Sequence, residues 1–400
     1  MKAKRLLLLL WLGFIGCKTQ PPVVTNPTPA PPKEVAPPKV EPKPEAVVVQ
    51  PKAPALSPED SLDLKIGQMI MVGINDRTTL PAGDPLRAEL ATNRMGGILI
   101  FEKNIATANA KATLTKLVAD LREAAPLPLF MGIDEEGGRV HRLKEKYGFV
   151  AMPSAAYLGG MKNTDSTTFY TRRLMALLSE LGFNLNFAPT VDLAVNPQNP
   201  VIVKAQRSYS ADTLRLVEHV SAAIAAHDEF GIIPVLKHFP GHGSSTTDSH
   251  LGIADVTKPW KSQELYPYKA LIQSGKAEAI LTSHVINCRL DTSCLPASLS
   301  RTMNTNLLRD QLGFRGVLFT DDMQMRAISK HYGLEKSLKM SILSGVDVLV
   351  YGNTGNPNER VTATQLHNII KTAVKKGEIP ESRINEAYYR IRALKQQKVR

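Results

Sequence analysis

Lys237-His-Phe-Pro-Gly-His-Gly-Ser-Ser-Thr-Thr-Asp-Ser-His250 packs three histidines, a lysine and a carboxylate into fourteen residues. A carboxylate two residues before an imidazole, as in Asp248 and His250, can orient the ring and stabilise its protonated form. Such a pair suits general acid/base work near neutral pH. A second carboxylate, Asp321, ends the apolar run Val317-Leu-Phe-Thr320. At that place it could be a nucleophile, a metal ligand or the N-cap of a following helix, and Asp322 beside it could cap in its stead. Asp134, Arg142, Arg207, Lys237 and His238 form a third group, suited to hydrogen-bonding the hydroxyls of a polar ligand or to building a buried ion-pair network. Gly137-Gly138 would let backbone approach a ligand closely. His238, His242, His250 and His284 show no His-x-x-x-His or comparable ligand spacing, so no metal site is expected.

Short apolar runs place these groups. They are Met69–Ile74, Gly97–Phe101, Leu129–Ile133, Asn184–Ala188, Ile232–Leu236, Ala279–Ser283, Gly316–Thr320 and Val346–Val350. Between them lie segments with apolar residues at helical spacing, such as 108–122, 210–227, 323–344 and 360–376, and 384–398 supplies a closing helix. Eight strand–helix units predict a single (β/α)8 TIM-type barrel; a doubly wound open sheet is the other arrangement of such units. No glycine-rich dinucleotide fingerprint follows the first strand, which argues against a Rossmann sheet. Barrel chemistry sits where strands end, and the polar clusters fall at those ends. Lys237-His238 should be held rigidly by the strand, while the glycines after them let the Asp-x-His end move.

The first 60 residues read differently. Lys2, Lys4 and Arg5 precede an apolar stretch, Leu6 to Ile15, too short to span a membrane as a helix. Gly16-Cys17 then resembles the end of a bacterial lipoprotein signal, in which cleavage leaves the cysteine lipidated. Residues 1–17 are therefore expected to be a signal peptide, with Cys17 the lipidation site. Residues 18–57 are a disordered Pro-rich linker, extended up to ~3 Å per residue and roughly 100 Å in all. The barrel occupies 58–400, in a protein exported and anchored by lipid to the bacterial envelope, facing the periplasm. Cys288 and Cys294 then remain as a pair, and an oxidising compartment favours a disulfide between them. The chain of 400 residues, 43% hydrophobic, can bury a large core, and its formal charge of +12 comes without the basic-aromatic patterning of a nucleic-acid binder. No cofactor is expected, and the protein is expected to be monomeric.

Five strings together carry a resemblance: Ile133-Asp-Glu-Glu-Gly-Gly-Arg-Val140, Asn186-Phe-Ala-Pro-Thr-Val-Asp192, Lys237-His-Phe-Pro-Gly-His-Gly243, Asp248-Ser-His250 and Phe319-Thr-Asp-Asp322. Over about residues 60–395 and in this order they resemble glycoside hydrolase family 3, and within it the β-N-acetylglucosaminidase (NagZ-like) branch. The Asp-Ser-His element separates this branch from the family's β-glucosidases, which use a glutamate acid/base. The resemblance implies that Asp321 is the nucleophile, His250 the general acid/base and Asp248 its partner. It implies that Asp134, Arg142, Arg207, Lys237 and His238 hold a terminal N-acetylglucosamine of a glycan such as a peptidoglycan fragment. Arg207 rests on the looser match of Arg207-Ser-Tyr209 to an Arg-Ser-Phe pattern. The mechanism implied is double displacement with retention, one of the usual two carboxyl groups being replaced by histidine.

Two departures stand out. Relatives commonly carry aspartate after Gly-His-Gly, where this chain has Ser244, and single-domain relatives of this type are often cytoplasmic whereas this chain begins with an export signal. Release of the sugar to phosphate is a rival reaction, because a histidine acid/base does not repel an incoming anion. A silent wall-binding lipoprotein is a rival of another class.

Overall fold

The computed structural model describes residues 61–247 and 252–399. Cys17, the signal, the linker, and the Asp248/His250 pair lie outside the described residues. Eight parallel strands form the barrel: β1 (Ile70–Gly73), β2 (Gly97–Ile100), β3 (Phe130–Ile133), β4 (Leu185–Asn186), β5 (Ile233–Phe239), β7 (Ala279–Thr282), β9 (Val317–Thr320) and β10 (Leu349–Tyr351). The two-residue strands β6 (Ala254–Asp255) and β8 (Val285–Ile286) pair with each other outside it. Along the sheet the order is β10-β1-β2-β3-β4-β5-β7-β9, and a parallel bridge from Phe319 to Val348 brings the two ends together. Helical segments cover the outside, and each strand's carboxyl end opens into a loop on one face, as (β/α)8 geometry requires.

The interior is filled side chain by side chain. Phe319 packs edge-on against both Phe130 and Phe187, with ring centroids 5.6 Å apart in each pair. Gly132 makes room for them, because a Cβ there would stand 2.5 Å from Met71 Cε. The opposite end of the barrel is closed by the helix Glu381–Lys398. From it the buried Lys395 ammonium donates to Gln68 Oε1, Gly96 O and Pro128 O, each at 2.7 Å, and lies 4.5 Å from the Phe130 ring centre. It thereby adds a bond to Gly96 O, which also accepts from the Phe130 amide at 3.0 Å, and ties the starts of three strands to the closing helix.

Three boundaries differ from the sequence expectation for physical reasons. The pattern at 323–344 divides into helices Arg326–Tyr332 and Leu334–Ser344, because Gly333 takes φ 68° and ends the first. The last barrel strand begins at Leu349, not Val346. Asp347 before it is fully buried and accepts bonds from Arg309, Arg383 and Arg390, which an interior strand position would not allow. The fifth strand runs on through Lys237 and His238 to Phe239 instead of stopping at Leu236.

Candidate active site

A cavity of about 510 Å³ opens at the carboxyl ends of the strands. Asp134, Arg142, Arg207, Lys237, His238 and Asp321 all line it, although they come from four different loops or strands. Phe101, Phe187, Leu281 and Val350 supply its apolar walls. The size falls within the range of about 300–1,000 Å³ common for small-ligand sites.

Lys237 and His238 reach the cavity together because the pairing of β5 with β7 slips between Leu236 and Phe239. A regular strand would send neighbouring side chains to opposite faces; an irregularity re-aims one of them. Lys237 Nζ lies 2.7 Å from Asp134 Oδ1 and 2.7 Å from Glu136 Oε1. Arg207 grips Glu136 with two bonds, Nε to Oε2 at 2.9 Å and Nη2 to Oε1 at 2.7 Å, and Thr190 Oγ1 donates to Oε2 at 3.0 Å. Burial alone would raise both acids. Lys237 and Arg142 hold Asp134 below its ordinary range instead, and Arg207 with Lys237 holds Glu136 well below its own. The ion-pair network and the ligand-binding group are thus one object, a charged floor with Asp134 at its exposed edge.

His238 is oriented by that floor. Its Nδ1 is 2.6 Å from Asp192 Oδ2, and Arg207 Nη2 is 3.1 Å from its Nε2. A guanidinium only donates, so the contact with Arg207 is a hydrogen bond in the tautomer whose Nδ1 donates to Asp192 and whose Nε2 accepts. Glu135 points away from the cavity and works through backbone. It accepts from the amides of Arg142 (2.8 Å) and Leu143 (3.1 Å) and pairs with His141, fixing the turn that presents Arg142. Glu135, Glu136 and Asp192 lie inside the motifs that point to this site, yet their roles were not apparent there. The only sequence signal was a carboxylate beside each ligand-facing group.

Asp321 and Asp322 divide their tasks. Asp322 Oδ1 accepts from the amides of Gln324 and Gly352, both at 3.0 Å, and so ties two loops together; it is not the N-cap that the sequence suggested, because the next helix, Arg326–Tyr332, starts after Met325 with no side-chain cap. Asp321 lines the cavity, and its Oδ1 accepts from the Asp322 amide at 2.9 Å. His284 reaches Asp322 O at 2.9 Å and Ser298 Oγ at 2.7 Å, and so supports the peptide after the nucleophile candidate.

Two expectations about glycine need correction. Gly137 and Gly138, with φ of 87° and 59°, accommodate the 153–154 segment, not a ligand; a Cβ on them would meet Pro153 O at 2.5 Å and Ser154 Cβ at 2.6 Å. Gly243 is likewise no hinge, since a Cβ there would stand 1.7 Å from Leu193 O. Asn199 Nδ2 holds the carbonyls of His242 (2.8 Å) and Gly243 (3.1 Å), and Asp192 Oδ1 accepts from the His242 amide at 2.7 Å. His242 itself is buried, and burial together with the His238 ring pushes its imidazole down to about 4. Ser244 is fully buried beside Glu264, whose Oε2 accepts from the Ser244 amide at 3.2 Å. Burial pushes the Glu264 carboxyl up to about 7, and a second carboxylate at position 244 would raise it further. Cys288 and Cys294 form a disulfide in the loop after β8.

Among the described residues no group of three or more histidine, cysteine or acidic side chains could hold a metal ion. A profile of the Glycosyl hydrolase family 3 N terminal domain matches residues 61–394. The chain is 34% identical to a beta-hexosaminidase of Tolumonas auensis over 264 residues, covering 65% of this chain and 76% of that one. It is 32% identical to beta-hexosaminidase LpqI of Mycobacterium tuberculosis over 350 residues, covering 85% and 83%. A solved family 3 beta-N-acetylglucosaminidase from Paenibacillus sp. superimposes with TM-score 0.77 at 32% identity, covering 84% of this chain and 62% of that one.

Proposed function

The chain belongs to glycosyl hydrolase family 3 and is a glycoside hydrolase of the beta-hexosaminidase kind, and from that premise we propose a retaining exo-β-N-acetylglucosaminidase acting on peptidoglycan-derived glycans. One observation carries the reading. Asp321 stands on the wall of a cavity whose floor is the Asp134–Lys237–Glu136–Arg207 network, so a carboxylate faces a hydroxyl-binding surface across space for a sugar ring.

In this reading the terminal sugar lies on the floor, with its hydroxyls donating to Asp134 and accepting from Lys237 and Arg142. Asp321 attacks the anomeric carbon and the glycosidic bond breaks as the leaving oxygen takes a proton from His250. Water then gives that proton back to His250 as its oxygen displaces Asp321. Asp248 keeps the imidazole oriented and favours its charged form. Two inversions return the starting configuration. Export and attachment through a lipidated Cys17 complete the proposal and rest on the sequence of the first 60 residues.

Replacing Asp321 by alanine should lower turnover of an aryl β-N-acetylglucosaminide by roughly three orders of magnitude or more, with the thermal midpoint almost unchanged. Retained turnover would remove Asp321 from the nucleophile role. Mass spectrometry of products from wall fragments, with phosphate present or absent, separates free sugar from sugar 1-phosphate and so distinguishes hydrolysis from phosphorolysis.

A further inference from the structure

Asn353 lies two residues beyond β10, outside every motif that points to the active site. It is 3% exposed and holds φ at 53°, a left-handed conformation that asparagine tolerates better than most residues. Each of its polar groups is engaged. The amide N donates to Gln324 Oε1 at 2.7 Å, and the carbonyl accepts from Lys103 Nζ at 2.8 Å. Nδ2 donates to Gly73 O (3.2 Å) and Val361 O (3.0 Å). Oδ1 accepts from the Val361 amide (3.0 Å) and from Gln324 Nε2 (3.2 Å). One buried side chain and its own peptide therefore fasten the loops that leave β1, β2, β9 and β10.

Gln324 is the other half of the fastening. Its side chain exchanges two bonds with Asn353 and gives a third to Glu359 O at 2.7 Å. Its own amide donates to Asp322 Oδ1, and Gly352, the residue before Asn353, donates to the same oxygen. A Cβ at Gly352 would come within 2.4 Å of Asp322 Oδ2, so the Asp322 carboxylate is confined from that side as well. The Asp322 amide in turn meets Asp321 Oδ1. The chain of contacts runs unbroken from Asn353 through Gln324 and Asp322 to the carboxylate that faces the cavity.

We propose that the Asn353–Gln324 amide pair is a positioning device for the nucleophile, holding the Asp321 carboxylate at its attack angle from the loop after the last barrel strand. It rests on the reading of Asp321 as the nucleophile. Asn353 does not line the cavity, and Gln324 lines it without a bond to the charged floor, so the pair acts on the rate of bond formation and leaves that floor intact. A small displacement of an attacking atom costs much more in rate than in affinity, up to about a hundredfold for 1 Å.

The test uses a 5-fluorinated N-acetylglucosaminyl fluoride, which forms the glycosyl-enzyme quickly and releases it slowly. Asn353→Gly keeps the left-handed backbone and removes only the side chain; Gln324→Met keeps length and removes only the amide. Each should lower the saturating labelling rate by roughly 10-fold or more while the half-saturating concentration stays within about twofold. Because the two amides act as one unit, the double variant should be no more than about threefold slower than the slower single variant. If Asn353→Gly fails to fold, the Gln324→Met labelling rate alone decides. Labelling of Asp321 at wild-type rate in the variants overturns this proposal and leaves the nucleophile assignment standing, as does a loss confined to half-saturation. Fully multiplicative losses in the double variant also overturn it. A label on any carboxylate other than Asp321 overturns both.

Discussion

Replacing Glu136 by glutamine tests whether the charged floor works as a unit. In the native site Arg142, Lys237 and Arg207 face Asp134, Glu136 and Asp192, three fixed cations against three carboxylates. The substitution is nearly isosteric but leaves three cations against two anions, in a place where Arg207 and Lys237 are almost fully buried. Removing one member of a buried pair costs about 3–5 kcal/mol, because the partner's desolvation is no longer offset. For a domain of this size that corresponds to a fall of roughly 4–7 °C in thermal midpoint. Lys237 should then swing wholly to Asp134, drawing its carboxylate away from the sugar hydroxyls, so KM should rise well before kcat falls. Differential scanning fluorimetry and initial rates on an aryl β-N-acetylglucosaminide read both quantities. A variant with a midpoint within about 1 °C of wild type and an unchanged KM would refute the account of Glu136 as the anchor of Arg207 and Lys237.

Other predictions address separate parts of the molecule. His250→Ala should slow substrates with poor leaving groups far more than activated aryl glycosides, since only the former need a proton at bond cleavage; equal losses in a leaving-group series would exclude the acid role. Glu264 holds its proton to about pH 7 when folded but releases it near 4.5 when unfolded, so it lowers stability as pH rises from about 4.5 to 7 and not beyond. Two buried histidines, His227 and His242, each depressed to about 4, act in the opposite sense between about 4 and 6.5, so the wild-type curve alone is not diagnostic. The difference curve is: Glu264→Gln should gain on wild type by up to about 3 kcal/mol between pH 4.5 and 7, measured by denaturant unfolding, and a flat difference would show that burial does not perturb this carboxyl.

The barrel was legible because each of its strands is an apolar run bounded by polar residues, a pattern that buried parallel strands impose on any sequence. The cavity-lining groups were legible for a related reason: Asp134, Lys237, His238 and Asp321 each follow such a run directly, so topology brings them together. What could not be read was the work of Glu136 and Asp192, because a carboxylate that neutralises a buried cation looks the same in sequence as one that meets a ligand. Asn353 was invisible for another reason. Its partners lie at residues 73, 103, 324 and 361, and no local pattern reports contacts at such separations. The glycines misled in the opposite direction, since Gly243 and Gly138 are demanded by neighbouring backbone and side chain, not by freedom of movement.

The Lys395 ammonium has a bearing on the order in which the chain can assemble. Its acceptors at Gln68, Gly96 and Pro128 are 327, 299 and 267 residues earlier in sequence. Contacts of such length are slow to form, since a long loop must close before they repay its entropy. As the chain emerges from the ribosome, β1, β2 and β3 are complete long before the helix Glu381–Lys398 exists to seal them. A nascent chain cut short of that helix would keep the ends of its first three strands open to water or chaperones, and only the arrival of Glu381–Lys398 would commit it to the closed form.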